Sequence, residues 1–258
     1  MGQSLTAPSR PVPYPVHVRT DPLPSSGRWL WLVKWLLLVP HLVVLALLWV
    51  AFIVLTVVAF VAILVTGRYP HSVFDFNVGV LRWTWRVTYY GYGVLGTDRY
   101  PPFTLADVPD YPAHLVIDYP EHESRALVLV KWWLLALPHY VVVGILVGGG
   151  AWTGRGDGSG RFTWSGGLVG ILVLVAAVTL MLTGRYPTSL YNLTLGLQRW
   201  VLRVCAYAAL MTDSYPPFRL DMGPDEPRAT EPTPSGPPPS GPPAAPSGSG
   251  AVGSGARR

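Results

Sequence analysis

"GVLRWTWRV" at residues 79–87 returns as "GLQRWVLRV" at 196–204, and the nature of these two stretches decides the architecture. Read at about 100° per residue, Asp75, Gly79, Arg82 and Arg86 fall on one line of a helix over 72–94. Asn192, Gly196, Arg199 and Arg203 do the same over 189–211. The remainder of each segment is mostly apolar. A helix of this kind lies at a membrane interface with its arginines toward headgroups, or crosses the bilayer with them facing protein. The first choice gives four transmembrane helices and two amphipathic interfacial helices. The second gives six spans in inverted repeats, a plan used by transporters.

Outward from these helices the landmarks match in order. "VKWLLLVPH" at 33–41 answers "VKWWLLALPH" at 130–139, "TGRYP" stands at 66–70 and 183–187, and "TDRYPPF" at 97–103 answers "TDSYPPF" at 212–218. The chain is a tandem duplication, with an N-terminal segment at 1–13, repeat one at 14–106 and repeat two at 107–221. The tail at 222–258 is rich in Pro, Ser and Gly, a composition too poor in apolar surface to offset ordering entropy, and reads as disordered. Each repeat opens on an extended piece ("YPVHVR", "HLVID") and closes on another ("YPPFTL", "YPPFRL"), which predicts a small β cap outside the bilayer.

Half of the residues are hydrophobic, 13% are charged and eleven are Trp, which is a membrane composition. The run from Trp29 to Val65 carries one charge, Lys34. It is far longer than the core of a secretory signal and long enough to cross twice at about 20 residues per span. Between Pro-His and "TGRYP" repeat two carries about nineteen more residues, within "GGGAWTGRGDGSGRFTWSGG" at 148–167. A polar glycine-rich loop must reach water. Its insertion point aligns near Val50–Ala51, so helices are expected at about 28–49, 51–66, 126–147 and 167–183. Against the break stands "LLWVAFIV", which has no turn residue and allows a single kinked helix. Gly67 and Gly184 suit the left-handed position that closes a helix, and Arg68, Tyr69, Arg185 and Tyr186 suit interface anchoring.

The expected fold is therefore an all-α integral membrane protein with short extended cap segments. In the four-span plan only Arg155 and Arg161 lie on the far side, so the positive-inside rule puts both termini on the cytoplasmic face of a multi-pass cell-membrane protein. The net charge of +5 belongs to that bias and calls for no nucleic acid. Lys34 and Lys131, the only lysines, sit among apolar residues; their stems can snorkel, or their compact charges can hold a lipid phosphate or a partner carboxylate. With His41, His139, Arg82, Arg86, Arg199 and Arg203 they form a candidate basic site for anionic lipid or a protein partner. Pro40 and Pro138 are expected to kink their helices, leaving the histidines to bond a freed carbonyl. Cys205 stands alone, and no phosphate loop, hydrolase elbow or zinc signature is present, so no cofactor, metal or catalytic role is expected. The expectation is a non-enzymatic membrane scaffold, with a small transporter or channel as the alternative.

At "VKWLL…PH", "TGRYP…FDFNVGVLRW" and "TDRYPPF" the sequence resembles an uncharacterised family of actinobacterial membrane proteins, domain of unknown function 4389, over roughly 14–220. The resemblance implies a doubled domain in a bacterial cell membrane and supplies no activity. Repeat two departs from repeat one by Asn192 for Asp75 and Gln198 for Leu81.

Overall fold

A computed structural model describes residues 14–21, 30–121, 123–154, 160–218 and 220–222. The N-terminal segment, Arg155, Asp157 and the tail from 223 lie outside the described residues. Repeat one supplies β1 (Val16–Thr20), α1 (Leu30–Thr66) and α2 (His71–Tyr90). Repeat two supplies β2 (Ala113–Ile117), α3 (Arg125–Val130), α4 (Leu137–Val147), β3 (Gly148–Gly154), β4 (Gly160–Gly166), α5 (Leu168–Thr183) and α6 (Thr188–Ala208).

The expected break near Val50 is absent: α1 is one helix of 37 residues, about 55 Å long. The physical reason is the one "LLWVAFIV" carries, a run without Gly, Pro or a polar competitor for the backbone. Pro40 sits within the helix without ending it. Gly67 and Gly184 take positive φ (73° and 70°), as expected for the residues that close α1 and α5. Thr66 and Thr183 brace the two turns alike, each accepting the N–H of the following arginine at 3.2 Å.

In repeat two the same helical run is assembled in stages. A π turn at Lys131–Leu135 joins α3 toward α4. It absorbs the one residue by which "VKWWLLALPH" exceeds "VKWLLLVPH". The insertion at 148–166 forms an antiparallel hairpin, Gly148 opposite Gly166, and a Cβ on Gly167 would stand 2.3 Å from the Leu146 carbonyl oxygen, where the helical course resumes. Partners along α6 show that α4 and α5 are not side by side. Tyr207, near the C-terminal end of α6, lies under Lys131, Trp200 stacks on His139, and Tyr191, near the N-terminal end, packs edge-on to Tyr186. Tyr191 and Tyr207 are sixteen residues apart, about 24 Å, so α3 and the end of α5 lie far from each other. α3, α4 and α5 are one rod antiparallel to α6, and the hairpin leaves the rod partway along. α1 runs antiparallel to α2 in the same way, from Lys34 at Tyr90, through His41 at Trp83 and Trp49 at Thr84, to Thr56 at Asn77.

The two repeats point in opposite directions. The Gly67 carbonyl at the end of α1 accepts the Glu123 N–H at 3.3 Å, beside the start of α3. Tyr186, past the end of α5, donates to the Val94 carbonyl at 2.7 Å, near the start of α1. The chain between the repeats achieves this by travelling back along α2: the Thr104 and Ala106 carbonyls meet Arg86, Leu115 meets Arg82, and Tyr119 stacks on His71.

The expected cap is present as one strand from each repeat. β1 pairs antiparallel with β2 about the centre Val18–Leu115. Val16, Val18, Ala113, Leu115 and Ile117 face inward, while Arg19 and Val116 face out, the two-residue alternation of a half-covered sheet. The "YPPFTL" and "YPPFRL" pieces are not strands; their prolines lack ladder donors, and their rings cover the histidines instead. α2 and α6 lie between the sheet and the long helices, arginines toward the sheet and aromatic rings toward α1 and the rod of α3–α5. Their arginines face the sheet and not outward toward headgroups.

Candidate functional site

The eight candidate residues and the tyrosine anchors are buried or half-buried in two matching polar clusters. Lys34 is 1% exposed and its Nζ lies 2.6 Å from the Asp98 carboxylate and 2.7 Å from the Thr97 carbonyl. Lys131 is fully buried and lies 3.1 Å from Asp213. Each ammonium also stands over a tyrosine ring, Tyr90 at 5.1 Å and Tyr207 at 4.9 Å. These lysines do not snorkel to headgroups. The carboxylate that answers each is the Asp of the chain's own Thr-Asp motif.

About two helical turns further on, the histidines are enclosed by rings. Trp83 Nε1 donates to His41 Nδ1 at 3.1 Å, which puts the proton of the neutral ring on Nε2, and Phe103 stacks on its face at 3.9 Å. His139 packs against both Trp200 and Phe218, which also touch each other, with Tyr215 at its edge and the Pro216 carbonyl 3.4 Å from Nε2. In His41 the observed bond is to an indole, not to a helix carbonyl freed by Pro40.

The arginine stripes are spent within the chain, Arg82, Arg86 and Arg199 on backbone oxygens and Arg203 on a carboxylate. Arg82 donates to the Leu115 carbonyl of β2 at 2.9 Å, and Arg199 to the Val18 carbonyl of β1 at 3.1 Å, so each repeat holds the strand of the other at the central pair of the sheet. Arg86 donates to Thr104 and Ala106 carbonyls. Arg203 pairs with the buried Asp221 at 2.7 Å, whose carbonyl takes Arg199 at 2.8 Å. Such charge-assisted bonds are stronger than neutral ones, and their buried donors leave no open basic pocket at these positions.

Two of the four expected anchors also face inward. Tyr69 is 1% exposed; its hydroxyl lies 3.4 Å from the Ala209 carbonyl and accepts the Asn77 side-chain N–H at 2.9 Å. With Tyr186 on Val94, the pair forms reciprocal latches between repeats. Leu95 and Leu210, one residue beyond the latched carbonyls, both hold positive φ (55° and 63°), a strained state for a branched side chain that the packing imposes twice. Arg68 and Arg185 are exposed beside their tyrosines.

Glu123 has no counterpart in this scheme. It is 6% exposed, neither carboxylate oxygen has a hydrogen-bond partner, and burial pushes its pKa up to about 7, with Asp213 adding to the rise and Lys131 opposing it. The Ser124 N–H next to it donates to Asp213 at 3.0 Å. Sequence reading missed Glu123, Asp98, Asp213 and Asp221; the repeated Thr-Asp of both closing motifs was the available signal for two of them. Among the described residues no three His, Cys, Asp or Glu side chains gather as metal ligands. Chemically the arrangement is a set of clamps.

The model of a family described as domain of unknown function, DUF4389, matches residues 28–104 and 162–219. The second match begins inside β4, within the last strand of the insertion that interrupts the helical course of repeat two. No curated protein and no solved structure matches the chain.

Proposed function

We propose that this chain, which belongs to the DUF4389 family, is a non-enzymatic scaffold embedded in a cell membrane, held by the apolar outer faces of α1, α4 and α5 and touching anionic headgroups through arginines at the helix ends. The observation that carries the reading is α1. An 18-residue window within Val33–Thr66 has a mean hydropathy of 3.1, and Leu36, Leu47 and Val65 on its outer stripe are 73%, 70% and 70% exposed. A core helix of a soluble protein would be covered on most sides. An apolar face of this length exceeds the few hundred Å² that soluble monomers leave bare. The outer stripe continues on the other rod in Val141, Ile145, Ile171, Leu174 and Leu182.

Headgroup contact falls to the exposed Arg68, Arg125 and Arg185, not to the lysines and striped arginines, which are engaged within the chain. The net charge of +5 favours the anionic cytoplasmic leaflet. The transporter reading has one observation in its favour, the opposed direction of the repeats. Its path residues Arg82, Arg86, Arg199 and Arg203 are covered by the sheet and its flanks. Expressed in bacteria, the chain should sediment with membranes, resist alkaline carbonate and come out only in detergent; recovery in the carbonate supernatant sinks the reading. Exchange of Arg68, Arg125 and Arg185 for Gln should lower co-purified anionic lipid severalfold, and unchanged lipid removes the headgroup contact.

A further inference from the structure

We infer that the molecule lies along one leaflet, with α1 and the α3–α5 rod parallel to the membrane plane, their outer stripes among acyl chains and the β1–β2 sheet in water. The inference rests on the membrane reading above and goes beyond it by replacing crossing helices with immersed ones.

Three independent features support this orientation. First, the connecting chain from Thr97 to Tyr119 runs the length of α2 and the sheet lies alongside it. If the rods crossed the bilayer, this strand pair would stand beside them at hydrocarbon depth. Its outer face carries Arg19 and the pairs His17–Asp118 and His114–Asp107, both at 3.7 Å and partly exposed, groups that lipid does not accept. Laid flat, the whole sheet is on the water side.

Second, the β3–β4 hairpin leaves its rod between α4 and α5, not at an end. A crossing rod of this shape would carry a two-stranded glycine-rich hairpin within the bilayer, where the N–H and C=O groups along its two open edges have no partner. Every point of a rod lying in one leaflet is equally close to headgroups, and the hairpin reaches water from its middle.

Third, the dimensions match a leaflet and not a bilayer. α1 is about 55 Å long against a hydrocarbon core of about 30 Å, whereas a helix about 10 Å across fits within a leaflet of about 15 Å. The exposed Arg68 and Arg185, at the ends of the two opposed rods, then stand at one headgroup level on opposite edges of the molecule.

The test uses the full chain with Cys205→Ala, in vesicles of phosphatidylethanolamine and phosphatidylglycerol. Single cysteines at Leu36, Leu47, Val54 and Val65, all on the outer stripe and all exposed, are spin-labelled and their immersion depth read from accessibility to oxygen and to a polar nickel complex. Equal depths, to within about 5 Å, one helix radius, are expected. A profile that descends through the bilayer centre and rises on the other side overturns the inference. As a second measurement, Val116→Cys on the sheet and Asp157→Cys between β3 and β4 should react with an impermeant maleimide from the same side. Reaction from opposite sides also overturns it, while a chain that fails to bind the vesicles at all refutes the membrane reading instead.

Discussion

Repeat one builds its long helix without interruption, and repeat two builds the same course from three helices, a π turn and an inserted hairpin, yet both present the same side chains to the helix that follows. Lys34 and His41 are seven residues apart, Lys131 and His139 eight, and their ring partners Tyr90–Trp83 and Tyr207–Trp200 are seven apart in both. The π turn restores the phase that the extra residue would have lost. Tolerance therefore lies on the outer face of the long helices, and constraint on the face toward α2 and α6. The second contrast is chemical. Glu123 gives repeat two a buried carboxylate beside the Lys131–Asp213 pair, and the position 97 residues earlier is Ser26.

The largest expected effect separates the two lysine pairs. Asp98→Ala leaves Lys34 buried without its partner and should cost about 3–5 kcal/mol in detergent unfolding. Asp213→Ala should cost about 1–2 kcal/mol less, because Glu123 remains near Lys131. Equal losses would show that Glu123 does not compensate.

Glu123→Gln comes next and acts only through pH. The folded chain holds this proton up to a pH of about 7, whereas the unfolded carboxyl ionises near its ordinary value of 4.5. The group's contribution to stability is therefore lost as pH rises from about 4.5 through about 7. The variant should show a flatter profile and gain about 2–3 kcal/mol above pH 8. A profile unchanged from the parent would place Glu123 in contact with water.

Smaller effects probe the exchange between repeats. Tyr69→Phe and Tyr186→Phe each remove one latch and should each cost about 1 kcal/mol. The two losses should be alike, since each hydroxyl has a second side-chain partner, Asn77 for Tyr69 and Thr194 for Tyr186. The smallest effect is expected from deleting Gly148–Gly166 while keeping Gly167, which converts repeat two to the continuous course of repeat one. Stability should change by less than about 1 kcal/mol while far-UV circular dichroism gains helix, because the hairpin's strands pair chiefly with each other. A cooperative collapse on deletion would make the hairpin part of the core.

Much of this was legible in the residues. The duplication, the arginine stripes, the left-handed Gly67 and Gly184 and the extended openings of each repeat follow from local pattern, and the third helices were placed within about four residues at either end. The lysines' partners were not legible, because Asp98 stands 64 residues from Lys34 and helical periodicity relates only neighbours along one element. The same limit turned Tyr69 and Tyr186 into expected anchors, since an aromatic residue after a helix end suits a headgroup layer until a carbonyl from the other repeat is seen above it. The loop in the other copy suggests a break near Val50, and the continuous apolar run is the better guide.

By itself the sequence determined which faces are apolar, where helices close and that two copies of one unit are joined, because propensity, periodicity and glycine conformation act over a few residues. Only the tertiary structure decided that the copies oppose each other, that each arginine stripe grips the other copy's strand and that the buried lysines are neutralised from within. Those outcomes depend on which distant groups meet as water is excluded, and buried charge compels a partner without specifying where along the chain it stands.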